Sequence, residues 1–226
     1  IPGSLVGSEM CIRDRISLKI AFLTACMSLV MGMLASLALV RLGRFRGKMS
    51  FAGMITAPLV MPEVITGLSL LLLFVAMEKS FGWPGGRGML TIWIAHVTFS
   101  TAFVTVILSS RLKEIDRSLE EAGMDLGASP LKVFFVITIP IITPALLAAW
   151  LLAFTLSLDD LVIASFVSGP GSTTLPMKVF SSVRLGISPK INALASIIIA
   201  LVSLGVLTAG WIVRGWERKK TLGIPQ

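Results

Sequence analysis

Tyrosine is missing from this chain, and histidine and asparagine occur once each, as His96 and Asn192. Charged residues make up only 14% of the 226 positions, while 55% are hydrophobic and the mean hydropathy is +0.91. A soluble domain of this length needs far more polar surface, so the scarcity of charge points to a bilayer as the solvent. The lone His96 lies inside an apolar run beside "TIWIA", with no Ser/His/Asp pattern around it, and reads as a hydrogen-bonded packing residue rather than a catalyst. The two cysteines, Cys11 and Cys26, match neither a metal-ligand spacing nor a disulfide framework, and Cys26 reads as a small core residue. No metal site, no catalytic residue and no cofactor are therefore expected in this chain.

A phosphate-binding loop is missing too. The nearest approach, "GRFRGKMS", is one residue short between its glycines and carries Met49 where Ser or Thr should follow Lys48, so this chain should not hydrolyse ATP. Arg41, Arg44, Arg46 and Lys48 read instead as a topology cluster. The net charge of +8 does not indicate nucleic acid, because the basic residues fall in short clusters between apolar runs, without interleaved aromatic platforms.

What is present is five apolar runs: Ile16–Val40, Ser50–Met77, Met89–Ser110, Ile139–Val167 and Ile191–Val213. Each is long enough to cross ~30 Å of hydrocarbon, which takes ~20 helical residues. The segments "RLGRFRGK", "RLKEIDRS…LK" and "RGWERKK" carry four Lys or Arg each, against two in "EKSFGWPGGRG" and three in "SGPGSTTLPMKVFSSVRLGISPK". The positive-inside rule puts the first three in the cytoplasm, with the C-terminus, residues 214–226, inside. Trp83, Trp93, Trp211 and Trp216 fall near run ends, where interfacial anchors belong. Pro58 and Pro62 divide the second run, and Pro140 and Pro144 the fourth, each removing a backbone donor. Residues 1–15, "IPGSLVGSEMCIRDR", read as a non-native tail, leaving 16–213 as the membrane domain.

Between the third and fourth runs lies "RSLEEAGMDLGASPLKVFFVITIP", within a loop at 111–134. Ser118 and Glu121 are spaced as a capping box, and Leu119, Ala122 and Leu126 form one apolar stripe with Glu120, Glu121 and Asp125 off it. Gly127 is placed to supply a left-handed C-terminal cap, and Ser129-Pro130 to start a new helix. So short a helix is marginal alone and needs a partner, either a soluble protein or the lipid headgroup layer.

Glu121, Ala122, Gly123, Gly127, Ile139 and Pro140 resemble the EAA motif of ABC-importer permeases, with Gly123 at the usual third Ala and Ile139 at the usual Leu before Pro. "APLVMPEVITGLSLLLLF", "LAFTLSLDDLVIASFVSGPGSTTLPMKVFSSVRLG" and "INALAS" are similar to permease subunits of bacterial spermidine/putrescine importers, particularly the putrescine type. The resemblance implies an all-α polytopic bundle of the type I ABC-importer permease fold, with five of six expected spans, the first helix being absent. It implies a coupling helix docking on an ATPase through Ser118, Leu119, Glu120, Glu121, Ala122, Gly123, Leu126 and Gly127, with Pro130, Pro140 and Pro144 as hinges. Gly123 would keep that contact face small. The implied partners are a second permease subunit in a heterodimer, two ATP-binding subunits carrying the ATP and Mg, a periplasmic polyamine-binding protein facing the "SGPGSTTLPMKVFSSVRLGISPK" segment, and membrane lipid.

Glu63, Asp159 and Asp160 lie in or near apolar spans, where an acidic residue costs up to about 2.5–3.5 kcal/mol at the centre. They are candidates for the substrate path, since spaced carboxylates would replace the hydration lost at both ends of a diamine. Equally, Glu63 could cap the helix after Pro62, and the Asp pair could accept backbone N–H bonds. A permease for sulfate, molybdate or ferric iron would share the EAA-like segment, although an oxyanion path favours basic lining. A secondary transporter would need no ATPase.

Overall fold

A computed structural model describes residues 3–43 and 45–184, with the isolated positions 196 and 203. Every regular element among the described residues is helical. Two compact units divide the chain, 1–178 and 179–226. In the second, the Arg184 guanidinium lies 5.4 Å from the centre of the Phe180 ring.

The first unit opens with α1 (Gly3–Val40) and continues through α2 (Lys48–Val60), α3 (Glu63–Phe81), α4 (Met89–Glu114) and α5 (Arg117–Asp125). Then come α6 (Pro130–Val133), a π-turn over Phe134–Thr138, α7 (Ile139–Asp159), α8 (Val162–Val167) and α9 (Leu175–Arg184), which runs past the unit boundary. Four stretches are long and apolar enough to cross a membrane: Arg15–Val40, Glu63–Phe81, Met89–Glu114 and Pro130–Asp159. The fifth expected span, Ile191–Val213, lies outside the described residues, as do Trp211 and Trp216.

The second apolar run is not one span. Met61 is extended (φ −76°, ψ 137°), because a residue before proline is pushed out of the helical region, and Pro62 stands at the start of α3. The 13-residue α2 reaches only about 20 Å, too short to cross. The fourth run departs from expectation the other way. Pro140 and Pro144 sit within a continuous helical path from Pro130 to Asp159 instead of breaking it. The π-turn absorbs the disturbance upstream of Pro140: the Ile139 N–H bonds the Phe134 carbonyl, five residues back. The break comes at Asp160-Leu161, beyond both prolines.

Helices α1, α4 and α7 pack around Ala25, Met33, Val104, Leu108, Leu112, Ile142, Ala149 and Ala153. A second core joins α1, α3, α4 and α8 through Ile20, Phe74, Ile92, Phe99, Ile163 and Val167. Between lipid-solvated helices no hydrophobic drive favours association, so close backbone approach and dispersion must supply it. Accordingly α1 turns a stripe of small residues inward: Ser17, Ala21, Ala25, Ser28, Gly32 and Ser36 are all buried, at roughly one-turn spacing. Long residues of the same helix, including Phe22, Val30 and Leu34, are more than half exposed and turn away from this packing. Cys26 does sit in the packing, its Sγ 3.5 Å from the donating Trp150 Nε1.

Candidate functional site

The loop between α4 and α6 forms a short helix capped at both ends, with one correction to the expected cap. Asp116, not Ser118, is the N-cap of α5: it is extended (φ −64°, ψ 126°), and its Oδ1 accepts from the Ser118 backbone N–H at 3.0 Å. Ser118 is therefore the second helical residue, and the reading that paired it with Glu121 starts the helix two residues late. Asp-x-Ser was the available signal, since Asp caps as well as Ser does. The C-terminal end is as expected. Gly127 takes φ +85°, its N–H bonds the Met124 carbonyl at 2.8 Å, and the Ala128 N–H bonds the Gly123 carbonyl at 3.2 Å. These paired bonds close the helix and require a left-handed residue at 127. Ser129 then caps α6 by accepting from the Lys132 N–H at 3.4 Å, with Pro130 in the first turn.

The Ser118 backbone N–H, and then its hydroxyl, hold the Asp116 carboxyl below the ordinary carboxylate range. A depressed folded value means that the cap stabilises α5 above the unfolded value of 3.8 and loses that contribution as pH falls through the folded value. Exchange of the Ser118 amide should therefore accelerate on acidification beyond the intrinsic pH trend in the wild type. In Asp116→Asn, which caps without titrating, it should follow the intrinsic trend alone; identical pH profiles for the two would refute the cap.

The faces of α5 divide in an unexpected way. Leu119, Glu121, Ala122 and Leu126 are exposed, Leu126 by 90%, and offer an apolar stripe with a carboxylate beside it. Glu120 and Gly123 face the chain's own helices, so neither presents its side to a docking partner. A Cβ at 123 would lie 2.8 Å from Ile137 Cδ1 and 3.2 Å from Val133 Cγ2, so glycine stands here for the approach of the π-turn, not to keep an outward face small. Glu120, with 19% of its side chain exposed, accepts at Oε1 from Arg41 Nη2 at 2.8 Å and from the Thr138 hydroxyl at 2.9 Å. Arg117 Nη2 also donates to the Val40 carbonyl, at 3.0 Å, at the end of α1. Arg41, read from the sequence as a topology charge only, and Thr138 are thus functional candidates that sequence reasoning missed; they lie 79 and 18 positions from Glu120, beyond any local pattern. Beneath α5 is a cavity of about 240 Å³ whose walls include Arg41, Glu120, Met124, Phe134 and Thr138.

The acidic candidates separate. Asp160 is committed internally: Oδ2 accepts from the Ala164 N–H at 2.7 Å and lies 3.1 Å from His96 Nε2, while Oδ1 takes the Ile163 N–H at 3.4 Å. His96, 2% exposed, places Nδ1 2.7 Å from Ser157 Oγ, so it pins the end of α7 to α4 as a packing residue. Asp159 is exposed at the last position of α7, and Glu63 is exposed at the first of α3. Gly67, one turn after Glu63 on the same face, packs against α8, where its Cβ would meet Phe166 Cδ2 at 2.7 Å and Ile163 Cα at 3.3 Å. The start of α3 and the α7–α8 break are therefore neighbours. No group of three His, Cys, Asp or Glu among the described residues could hold a metal.

These features define a polytopic α-helical membrane protein with broken helices and a capped amphipathic helix held at the end of its bundle. Residues 28–221 match the family model for the binding-protein-dependent transport system inner membrane component. The putrescine transport system permease protein PotI of Escherichia coli K12 is 64% identical over 205 residues, 91% of this chain and 73% of that protein. The spermidine/putrescine transport system permease protein PotC of Haemophilus influenzae is 40% identical over 88% of this chain and 74% of its own. A crystal structure of an amino acid ABC transporter with histidines superposes with a TM-score of 0.57 at 20% identity, covering 96% of this chain and 97% of that one, a likeness of fold alone. The chain belongs to the binding-protein-dependent inner-membrane permease family of ABC transporters. It is a multi-pass membrane protein of the all-α, type I permease fold, whose family leaves ATP hydrolysis to separate subunits and works with a binding protein.

Proposed function

We propose that this chain is a permease subunit of a putrescine- or spermidine-importing ABC complex in a bacterial inner membrane, with its C-terminus and α5 on the cytoplasmic side. The observation that carries the reading is α5, a helix capped at both ends whose exposed Leu119, Glu121, Ala122 and Leu126 have no partner within the described residues, in a chain 64% identical to a putrescine permease. In the complex it pairs with a second, different permease subunit and two ATPase subunits, and takes substrate from a periplasmic polyamine-binding protein. Closure of the ATPases moves α5 and tilts the neighbouring spans between outward and inward access, with Pro130, Pro140 and Pro144 as the compliant points of the α6–α7 path.

The path for a diammonium ion passes the two helix breaks. Asp159 supports this better than Asp160, because it is exposed and stands where the C-terminal carbonyls of α7 add partial negative charge. Glu63 stands at the start of α3, where the N-terminal end of the helix dipole stabilises its charge. Hydrogen bonds to charged groups are worth about 1.5–3 kcal/mol, so losing one costs roughly tenfold or more. Asp159→Asn should accordingly lower polyamine uptake by about tenfold while sparing basal ATP hydrolysis in the reconstituted complex. Uptake unchanged by both Asp159→Asn and Asp160→Asn would take both out of the path and leave Asp160 its capping role alone, and competition among labelled polyamines ranks the substrates.

A further inference from the structure

We propose that Glu120 is a transmission residue that carries the movement of α5 into the membrane along two routes at once. One route runs through Arg41 to the end of α1, the other through Thr138 to the π-turn that leads into α7. The proposal rests on the functional reading above and adds to it the residue through which the coupling helix is geared to the spans.

The geometry is specific. Both donors meet the same carboxylate oxygen, Arg41 Nη2 at 2.8 Å and Thr138 Oγ1 at 2.9 Å, so displacing Glu120 disturbs both together. Arg117 adds a second grip on α1 at the Val40 carbonyl, and the buried face of Gly123 lets α5 lie directly on Val133 and Ile137. Movement of α5 as a rigid body therefore cannot leave the α1 end and the π-turn in place without breaking a charge-assisted contact that is largely shielded from water.

The same contacts have a second arrangement within reach. Arg41 Nε is buried and has no hydrogen-bond partner among the described residues, although guanidinium and carboxylate match best as a two-bond fork. A small shift of α5 converts the single-oxygen contact into that fork and releases Thr138. Thr138 is the last residue of the π-turn. A π-turn holds one residue more per turn than the α-helix, so resolving it moves the following helix by one residue, about 1.5 Å along and about 100° around its axis. The two pairings of Glu120 thus bias two registers of α7, which ends at Asp159 beside the proposed path.

The test is the complete complex reconstituted in proteoliposomes, comparing ATP hydrolysis with and without polyamine-loaded binding protein. Glu120→Gln should keep the ATPase subunits bound and the basal rate intact, while the stimulated-to-basal ratio falls toward one, a loss of about tenfold in coupling. Thr138→Val, which removes only the hydroxyl, should move the ratio the same way should Glu120→Gln fail to assemble. The exchange Arg41→Glu with Glu120→Arg should recover stimulation that either reversal alone abolishes. A wild-type ratio in both Glu120→Gln and Thr138→Val overturns the proposal, as does a proportional fall of both rates, which a merely structural role produces. An unsubstituted complex that binds no ATPase subunit, or does not respond to polyamine-loaded binding protein, overturns the functional reading and the proposal together.

Discussion

Replacing Gly32 by alanine should destabilise the bundle strongly for a single added methyl. A Cβ there would lie 2.5 Å from Val104 Cγ1, 2.8 Å from Val104 Cβ and 3.2 Å from the Thr105 backbone nitrogen. The obstacle is a short branched side chain and a backbone atom, neither able to swing away, and Val104 is fully buried in the α1–α4–α7 core. Overpacking of this kind costs about 1–3 kcal/mol, and valine at 32 should exceed that range by forcing α1 and α4 apart. Thermal unfolding of the detergent-solubilised protein should show a lowered midpoint for Gly32→Ala and a partial recovery when Val104→Ala removes the closest methyl. Equal midpoints for wild type and Gly32→Ala would mean that the seam is not close-packed. Additive losses in the double variant would put the strain elsewhere.

Reversing the charge at Glu121 should uncouple the complex without harming insertion. Glu121 is exposed on α5 beside Leu119, Ala122 and Leu126, whereas its neighbour Glu120 is turned inward. Truncating one member of a buried charge pair at an interface costs about 2–5 kcal/mol, so Glu121→Arg should weaken ATPase docking by roughly thirtyfold or more. The measurements are co-purification of the ATPase subunit and stimulated ATP hydrolysis. Leu126→Asp, on the most exposed residue of the stripe, should act in the same direction. Wild-type hydrolysis in both variants would place the docking surface away from α5. The contrast with Glu120→Gln is diagnostic, because that change acts after docking and should leave the ATPase bound.

The two adjacent glutamates show where local pattern stops being informative. Composition placed the chain in a membrane, charge spacing drew the loops, and the Gly127 and Ser129-Pro130 signals located a helix end and a restart, because each depends on residues within one or two turns. The order Leu119, Glu120, Glu121, Ala122 cannot say which carboxylate looks inward, since that is decided by Arg41 and Thr138 arriving from α1 and the π-turn. Proline counting misplaced the break in the fourth run for a related reason. Pro140 and Pro144 each remove a backbone donor, but the helix runs through both to Asp159, with the π-turn before them pairing the Ile139 N–H to the Phe134 carbonyl, while Asp160 finds its partners in His96 on α4 and in the α8 amides.

By itself the sequence determined the solvent, the helical class, most of the apolar stretches and the C-terminal end of the short amphipathic helix, all of which follow from hydropathy, glycine conformation and short-range hydrogen bonding. Only the tertiary structure decided which acidic residues are free and which are held, why residues 32 and 123 must be small, and how α5 is fastened to the end of α1 and to the π-turn. Those outcomes depend on contacts between helices far apart in the chain, where a difference of a few tenths of an ångström or a single hydroxyl selects one partner over another.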